Sequence, residues 1–232
     1  DLGIGTDGGG SVLAPALALN LYGMISPLIC SSELSLYSKK STDNIVFRPS
    51  IGFIAKHLEI IDEVFHINEE ETTAKPLNVL VANTANKYQD DIRDQFISNI
   101  KLPVSHVNLS YASSSRNQLM EDLNAIDFDH NILVSFEGPV DLFEYGDSLS
   151  GHYSEYSLEQ QQKAYKYYLK VINMLNLSAI IVPSASNATG TLLVCKSEMS
   201  HINTMLKLAY TLQFERSELE ARYFDINYKE KL

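Results

Sequence analysis

Cysteine is scarce in this chain of 232 residues, and its two cysteines stand far apart. Cys30 and Cys195 belong to no C-x-x-C pair and have no histidine at ligand spacing. A disulfide framework or a structural zinc site needs several such residues at short, regular intervals. The sequence therefore predicts neither, and we expect a protein of the reducing cytoplasm without a metal or another cofactor.

Positive charge is also in short supply. Lysine and arginine number 18 against 29 aspartates and glutamates, which gives a formal net charge of -11. The longest basic run is Lys39-Lys40. Because a negative balance of this size repels a phosphate backbone, the sequence argues against direct binding of nucleic acid.

No apolar run is long enough to cross a bilayer. The longest extends from Val12 to Ile29 and is broken by Asn20, glycine, serine and two prolines. A membrane-spanning helix needs about 20 consecutive apolar residues. We therefore expect a soluble protein with no membrane span.

What the chain does contain is the composition of a globular protein. Hydrophobic residues make up 45% and charged residues 20%, which is too apolar for a disordered chain. A domain of this length buries about 70 to 75% of its unfolded surface, so we expect residues 1–232 to form a single α/β domain. The sequence opens at Asp1, without a methionine, in a glycine-rich segment typical of a domain interior. We therefore expect this domain to be the later part of a larger one.

Strand-like and helix-like patterns alternate along the chain. Short β-branched runs predict buried strands at 77–82, 104–109, 179–183 and 191–195. Apolar residues three and four positions apart predict helices at 50–66, 87–100, 115–126, 130–145, 158–175 and 198–215. This alternation predicts a mixed, twisted sheet with helices on both faces.

Only the opening segment carries a chemical motif. Read literally, residues 3–8 fit the G-x-G-x-x-G pattern of dinucleotide-binding folds. That pattern needs a strand before its first glycine and an acidic residue about 20 positions later, at the end of a second strand. The sequence offers neither, so a nucleotide cofactor is not predicted.

Three consecutive glycines followed by a serine suggest a different chemistry. Gly8, Gly9 and Gly10 have no Cβ, so their peptide units can turn sharply and point successive N–H groups at a developing oxyanion. Ser11 follows at the start of a predicted short helix, where the helix dipole favours negative charge. For an arbitrary G-G-G-S, a tight turn with Ser11 as the helix N-cap is the simpler interpretation.

A longer match favours the nucleophile. Residues 1–16, DLGIGTDGGGSVLAPA, closely resemble the signature G-[ST]-D-x-G-G-S-[IV]-R-x-P-A of the amidase signature family. Gly5-Thr6-Asp7, Gly9-Gly10-Ser11 and Pro15-Ala16 stand where that pattern expects them, as do Gly23 and Pro27 further along. The match is specific over roughly the first 27 residues.

The resemblance implies a serine amidohydrolase that cleaves a carbon–nitrogen amide bond of a small molecule. Ser11 would be the nucleophile, the N–H groups of the three glycines would form the oxyanion hole, and Thr6 and Asp7 would support the loop. In the family a cis-serine and a lysine complete the triad. Both lie before the signature and are not present in this chain. The sequence is compatible with a homodimer and with an upstream chain segment.

Two departures from the family pattern keep other functions open. Leu13 stands where the family has an arginine, and the chain is shorter than family members between Pro183 and Gly190. These differences motivate a catalytically inactive pseudo-amidase that serves as a binding or assembly partner. A third interpretation is the transamidase subunit that modifies aminoacyl-tRNA, which uses the same nucleophile and requires partner subunits.

Overall fold

A mixed sheet of eight strands carries the glycine-rich segment at the end of its edge strand. The computed structural model describes residues 1–34, 36–41, 43–67, 72–112, 115–140, 154–156, 159 and 164–213. The strands of the sheet are β1 (Leu2–Asp7), β2 (Tyr22–Ser26), β5 (Ser50–Ala55), β6 (Asn78–Ala82), β7 (Val104–Val107), β8 (Asn131–Glu137), β9 (Leu177–Pro183) and β10 (Gly190–Lys196). A separate hairpin consists of β3 (Lys39–Lys40) and β4 (Val46–Phe47).

The strand order divides the sheet into an antiparallel and a parallel part. The order is β1-β5-β2-β9-β10-β8-β6-β7. Neighbours from β1 to β8 pair antiparallel, whereas β6 pairs parallel with both β8 and β7. The predicted mixed sheet is confirmed, and β1 lies at one of its two edges.

Helices cover both faces of the sheet, as predicted. They are α1 (Leu13–Ala18), α2 (Ser31–Leu34), α3 (Leu58–Phe65), α4 (Lys87–Asn99), α5 (Arg116–Asn124) and α6 (Met199–Tyr210). Helices α3, α4 and α6 pack in one apolar core. Helices α1 and α5 pack in the other, together with two 3₁₀ turns at Tyr168–Lys170 and Asn173–Leu175. The glycine-rich segment therefore belongs to the second face.

Side chains at the helix starts explain why two of the predicted helices begin where they do. The Asn86 side chain accepts hydrogen bonds from the backbone N–H groups of Tyr88 and Gln89 at the start of α4. The Ser115 hydroxyl accepts one from Gln118 at the start of α5. These caps satisfy N–H groups that have no partner within the helix.

Three predicted helices are wrong in part. Residues 50–55 form strand β5, which pairs with β1 on one side and β2 on the other, and helix α3 begins only at Leu58. Residues 131–137 form strand β8. In the segment 158–175, two 3₁₀ turns at Tyr168–Lys170 and Asn173–Leu175 stand in place of one continuous helix. Residues 158 and 160–163 lie outside the described part, as do 141–145. Apolar runs in these segments have the length of a strand as well as of a helix, so periodicity alone cannot separate the two.

Candidate functional site

The glycine-rich turn is organised by the side chain of Asp7. Strand β1 ends at Asp7, opposite Ser50 of β5, and the Asp7 side chain is fully buried. Its Oδ1 accepts the backbone N–H groups of Gly9 at 3.0 Å and Gly10 at 2.8 Å, and its Oδ2 accepts that of Val12 at 2.7 Å. One carboxylate therefore holds the turn from the end of the strand to the start of α1.

Burial and hydrogen bonding act in opposite directions on Asp7. Burial raises the pKa of this carboxyl above its ordinary value, and the N–H groups of Val12, Gly10 and Gly9 oppose the rise. Both oxygens act as acceptors, so the turn depends on an Asp7 side chain that presents no competing donor.

Ser11 is exposed at the tip of this turn. Helix α1 starts at Leu13, its N-cap residue is Val12, and no side-chain hydrogen bond caps it. The interpretation of Ser11 as the helix N-cap is therefore wrong. The Ser11 side chain faces solvent, where a reacting molecule can reach it.

The glycines of the turn differ in what surrounds them. Gly10 has φ +95°, in the left-handed region that favours glycine. A Cβ built on Gly8 would lie 3.0 Å from the Phe47 ring of the β3–β4 hairpin. The N–H groups of Gly9 and Gly10 point to Asp7 in this structure, so two of the three predicted oxyanion donors already have an acceptor. Their role as an oxyanion hole stays a prediction.

Thr6 is exposed in β1, opposite Ile51 of β5. The side chain of the next residue, Asp7, makes the hydrogen bonds to the turn that are described above. Support of the active-site loop by Thr6 stays a prediction.

Residues 167–170, far along the chain, lie beside the turn, and we call this segment the wall. A Cβ on Gly10 would lie 2.8 Å from Leu169 Cδ1 and 3.2 Å from the Leu169 carbonyl oxygen. A Cβ on Gly9 would lie 3.6 Å from both the Lys170 carbonyl oxygen and Arg116 Nη2. The sequence contains no signal for these neighbours, because they lie more than 100 residues from the motif.

Two buried titratable side chains, Glu137 and Lys170, are associated with this wall. Burial raises the pKa of Glu137 to about 8, although the N–H groups of Tyr167 and Leu169 and the charge of Lys170 oppose this rise. Burial lowers the pKa of Lys170 to about 7, against the attraction of Glu137. The segment beside the glycine turn thus contains a buried amine, Lys170, and is held by a buried carboxyl, Glu137. The pKa values of these two groups are perturbed in opposite directions, which is frequent at functional sites.

An ion pair and an amide connect the turn to its other neighbours. Arg116 Nη1 lies 3.0 Å from Asp43 Oδ1, which joins the start of α5 to the segment between β3 and β4. The Asn173 side-chain amide donates to the carbonyl oxygens of Asp7 at 3.1 Å and Arg48 at 3.2 Å. The Asn173 amide thus binds the backbone at the end of strand β1.

Neither a metal centre nor a membrane helix is present in the part of the chain that the structure describes. No group of three or more His, Cys, Asp and Glu side chains in that part could hold a metal ion. None of its helices combines the length and the apolar character needed to cross a bilayer.

Comparison with known proteins identifies the fold and leaves the family unassigned. No family model and no curated protein matches the sequence. Solved structures do match the fold. Among them, an amidase family protein from Bacillus anthracis str. Ames has 9% sequence identity and a TM-score of 0.55, with 93% of this chain and 58% of that chain covered. A glutamyl-tRNA(Gln) amidotransferase subunit from Thermotoga maritima has 13% identity and a TM-score of 0.60, with 94% and 62% covered. Another structure, an amidase, has 11% identity and a TM-score of 0.51, with 95% and 62% covered.

The likeness concerns the fold, a mixed sheet of eight strands with helices on both faces. The chain spans 58 to 62% of the length of these three chains. By its fold, it is therefore similar to amidase-family proteins over a little more than half of their length.

Proposed function

We propose that this chain is part of an amidase-type hydrolase that cleaves a carbon–nitrogen amide bond through a serine acyl-enzyme. The observation that carries the proposal is the exposed Ser11, which follows a glycine turn braced by Asp7 on an amidase-like sheet. A nucleophile needs this combination of an accessible hydroxyl and a rigid backbone. The net charge of -11 favours a small-molecule amide over direct binding of nucleic acid.

The reaction has two steps. Ser11 Oγ attacks the amide carbonyl, the tetrahedral oxyanion collapses, and the amine leaves with a proton. Water then attacks the Ser11 ester and releases the acid. The N–H groups of the glycine turn stabilise the oxyanion, and those of Gly9 and Gly10 are shared between Asp7 and the reacting oxygen.

The Ser11 proton requires a base. In the family that the motif resembles, a cis-serine and a lysine that precede the signature serve this purpose. In our proposal the same pair comes from an upstream segment or from a partner protein.

A second candidate function is a catalytically inactive binding or assembly partner. Two observations favour it: Asp7 occupies the N–H groups of Gly9 and Gly10, and a buried leucine, Leu13, stands where the resembled pattern has an arginine. A transamidase component is a related alternative, supported by the fold shared with the amidotransferase protein from Thermotoga maritima.

Labelling by a fluorophosphonate, which reacts with activated serines, separates a serine enzyme from an inactive partner. The complete folded protein should take up one equivalent of the probe at Ser11, as located by peptide mass spectrometry. Ser11→Ala should abolish the labelling, whereas Ser98→Ala, at an exposed serine of α4, should leave it unchanged. A folded protein that takes up no probe would support the inactive partner, and cleavage of a panel of small amides would then be expected to fail as well.

A further inference from the structure

Glu137 is a buried carboxyl that holds the chain on the far side of the glycine turn. It is the last residue of β8, and its side chain is inaccessible to solvent. Its Oε2 accepts the backbone N–H of Tyr167 at 2.8 Å, and its Oε1 accepts that of Leu169 at 3.2 Å. The adjacent Gly138 N–H donates to the Tyr165 carbonyl oxygen at 3.2 Å. The end of β8 therefore clamps residues 165–169.

The clamped segment is the wall against which the turn lies. The Leu169 carbonyl oxygen and the Lys170 Cα lie 3.2 Å and 3.5 Å from the place where a Cβ on Gly10 would be. Gly10 immediately precedes Ser11. A shift of this wall by a fraction of an ångström would therefore move the turn or leave a gap beside it.

Burial of a carboxyl at this position has a cost in free energy. A buried carboxyl loses its hydration, and hydrogen bonds must replace it. An apolar side chain could fill the same space, but it could not bind two backbone N–H groups of a short irregular segment. The two hydrogen bonds thus fix the conformation of the wall at a cost in burial.

We propose that Glu137 is a positioning residue for the Ser11 turn, acting through its hydrogen bonds to Tyr167 and Leu169. The catalytic part of this inference rests on the proposed amidase function, whereas its structural part does not. Glu137 touches no reacting atom and orders the wall on which Gly9 and Gly10 lie.

The test compares Glu137→Gln with Ser135→Ala in the complete protein. Glutamine retains the size of the side chain but replaces one acceptor with an N–H donor that faces a backbone N–H. Ser135 lies two residues earlier in the same strand, and its buried hydroxyl has no hydrogen-bond partner among the described residues, so its removal serves as the matched control. Hydrogen–deuterium exchange should become about tenfold faster in residues 8–13 and 165–171 of Glu137→Gln, and should stay unchanged in β10 and α6. Ser135→Ala should leave all four segments unchanged.

The fluorophosphonate supplies a second readout. In Glu137→Gln the maximal rate of Ser11 labelling should fall about tenfold to a hundredfold while the probe concentration at half-maximal rate stays the same. Glu137→Asp, which keeps both acceptor oxygens one methylene further back, should restore part of the rate and part of the exchange protection. If the wild-type protein takes up no probe, the proposed amidase function fails, and the exchange experiment still decides whether Glu137 positions the turn.

Three results would overturn the inference. One is unchanged exchange in residues 8–13 of a folded Glu137→Gln variant. Another is faster exchange spread evenly over the sheet, which indicates a general loss of stability. The third is failure of both Glu137→Gln and Glu137→Asp to fold while Ser135→Ala folds, because Glu137 would then serve the whole fold and not the turn.

Discussion

The Asp7 carboxylate accepts the backbone N–H of Val12 at 2.7 Å, across five positions of the chain. This hydrogen bond joins the end of strand β1 to the first residue before helix α1. The same side chain accepts two further N–H groups from the glycines between them. The geometry of the turn that presents Ser11 thus depends directly on the buried side chain of Asp7.

Replacement of Asp7 by asparagine should therefore destabilise the protein. The asparagine amide presents a donor to backbone N–H groups that all need an acceptor, so at least one buried N–H loses its partner. We expect the free energy of unfolding to fall by about 2–4 kcal/mol, measured by urea denaturation. Asp91→Asn, at an exposed position of α4, should change it by less than about 0.5 kcal/mol. Equal stability of the two variants would contradict the role of Asp7 in the turn.

Gly10 should tolerate no side chain. Its φ of +95° disfavours an L-residue, and a Cβ would lie 2.8 Å from Leu169 Cδ1 and 3.2 Å from the Leu169 carbonyl oxygen. We expect Gly10→Ala to cost about 2 kcal/mol or more in thermal or urea unfolding. Gly3→Ala is the control, because its Cβ would meet Ile54 at an ordinary distance of 3.7 Å. If Gly10→Ala were as stable as Gly3→Ala, the backbone at Leu169 would have to move aside at little cost, which would contradict this prediction.

The sequence predicted the elements that have local signals. Helices α4 and α5 are predicted from the pattern of the chain, and the structure adds that Asn86 and Ser115 cap them. Strands β5 and β8 were misassigned as helix. Their pairing partners are strands elsewhere in the chain. The apolar content of residues 50–55 and 131–137 fits a strand as well as a helix, so the local sequence does not distinguish the two.

The residues of the candidate site also fall into those with a local sequence signal and those without one. The contiguous motif located Ser11, Asp7 and the glycine turn, because these residues follow one another in the chain. Glu137 and Leu169 could not be found in this way. Leu169 lies beside the turn, and Glu137 binds the Leu169 N–H, only because the fold brings β8 and the 3₁₀ turn at Tyr168–Lys170 together. No short pattern in the sequence encodes that arrangement.

The stability of the protein should depend on the protonation of His66. The pKa of His66 is raised above its ordinary value of 6.5, although burial of the ring acts to lower it. The rise comes from a hydrogen bond to Asn203 at 2.8 Å and from the backbone oxygen and carboxylate of Asp62. Asn203 Nδ2 donates to the Thr72 carbonyl oxygen, so its Oδ1 faces the ring as an acceptor. The protonated ring, with two donors, therefore joins α3 to α6.

The sign of the pH effect follows from the raised pKa. The stabilisation from His66 is fully present below pH 6.5 and is lost as the pH rises through the higher folded-state value. We expect the difference in unfolding free energy between wild type and His66→Gln to be larger at about pH 5.5 than at about pH 9, as measured by urea denaturation. His106→Gln, at an exposed position of β7, is the matched control variant. A difference that grows with pH would contradict the assignment.

The two cysteines should react at very different rates. Cys30 is exposed, whereas Cys195 is fully buried in β10, where burial raises the pKa of its thiol. Of the two cysteines in residues 1–232, a disulfide reagent such as Ellman's should modify Cys30 alone in the folded protein and both in denaturant. Cys30→Ser should remove the fast reaction, and rapid modification of two thiols under native conditions would contradict the burial of β10.

The contacts of the glycine turn also bear on how the protein is made. Strand β2 pairs with β9, and the wall at 167–170 meets a turn at residues 8–11, so the neighbourhood of Ser11 joins parts of the chain separated by about 160 residues. Contacts of such high sequence separation form slowly, since a long loop must close first. In a nascent chain whose residues 167–170 are still inside the ribosome, the turn that contains Ser11 lacks the segment against which it packs. If Ser11 is the nucleophile that we propose, its reactivity would mark the completion of folding, and a proteolytic cut before residue 167 would abolish that reactivity.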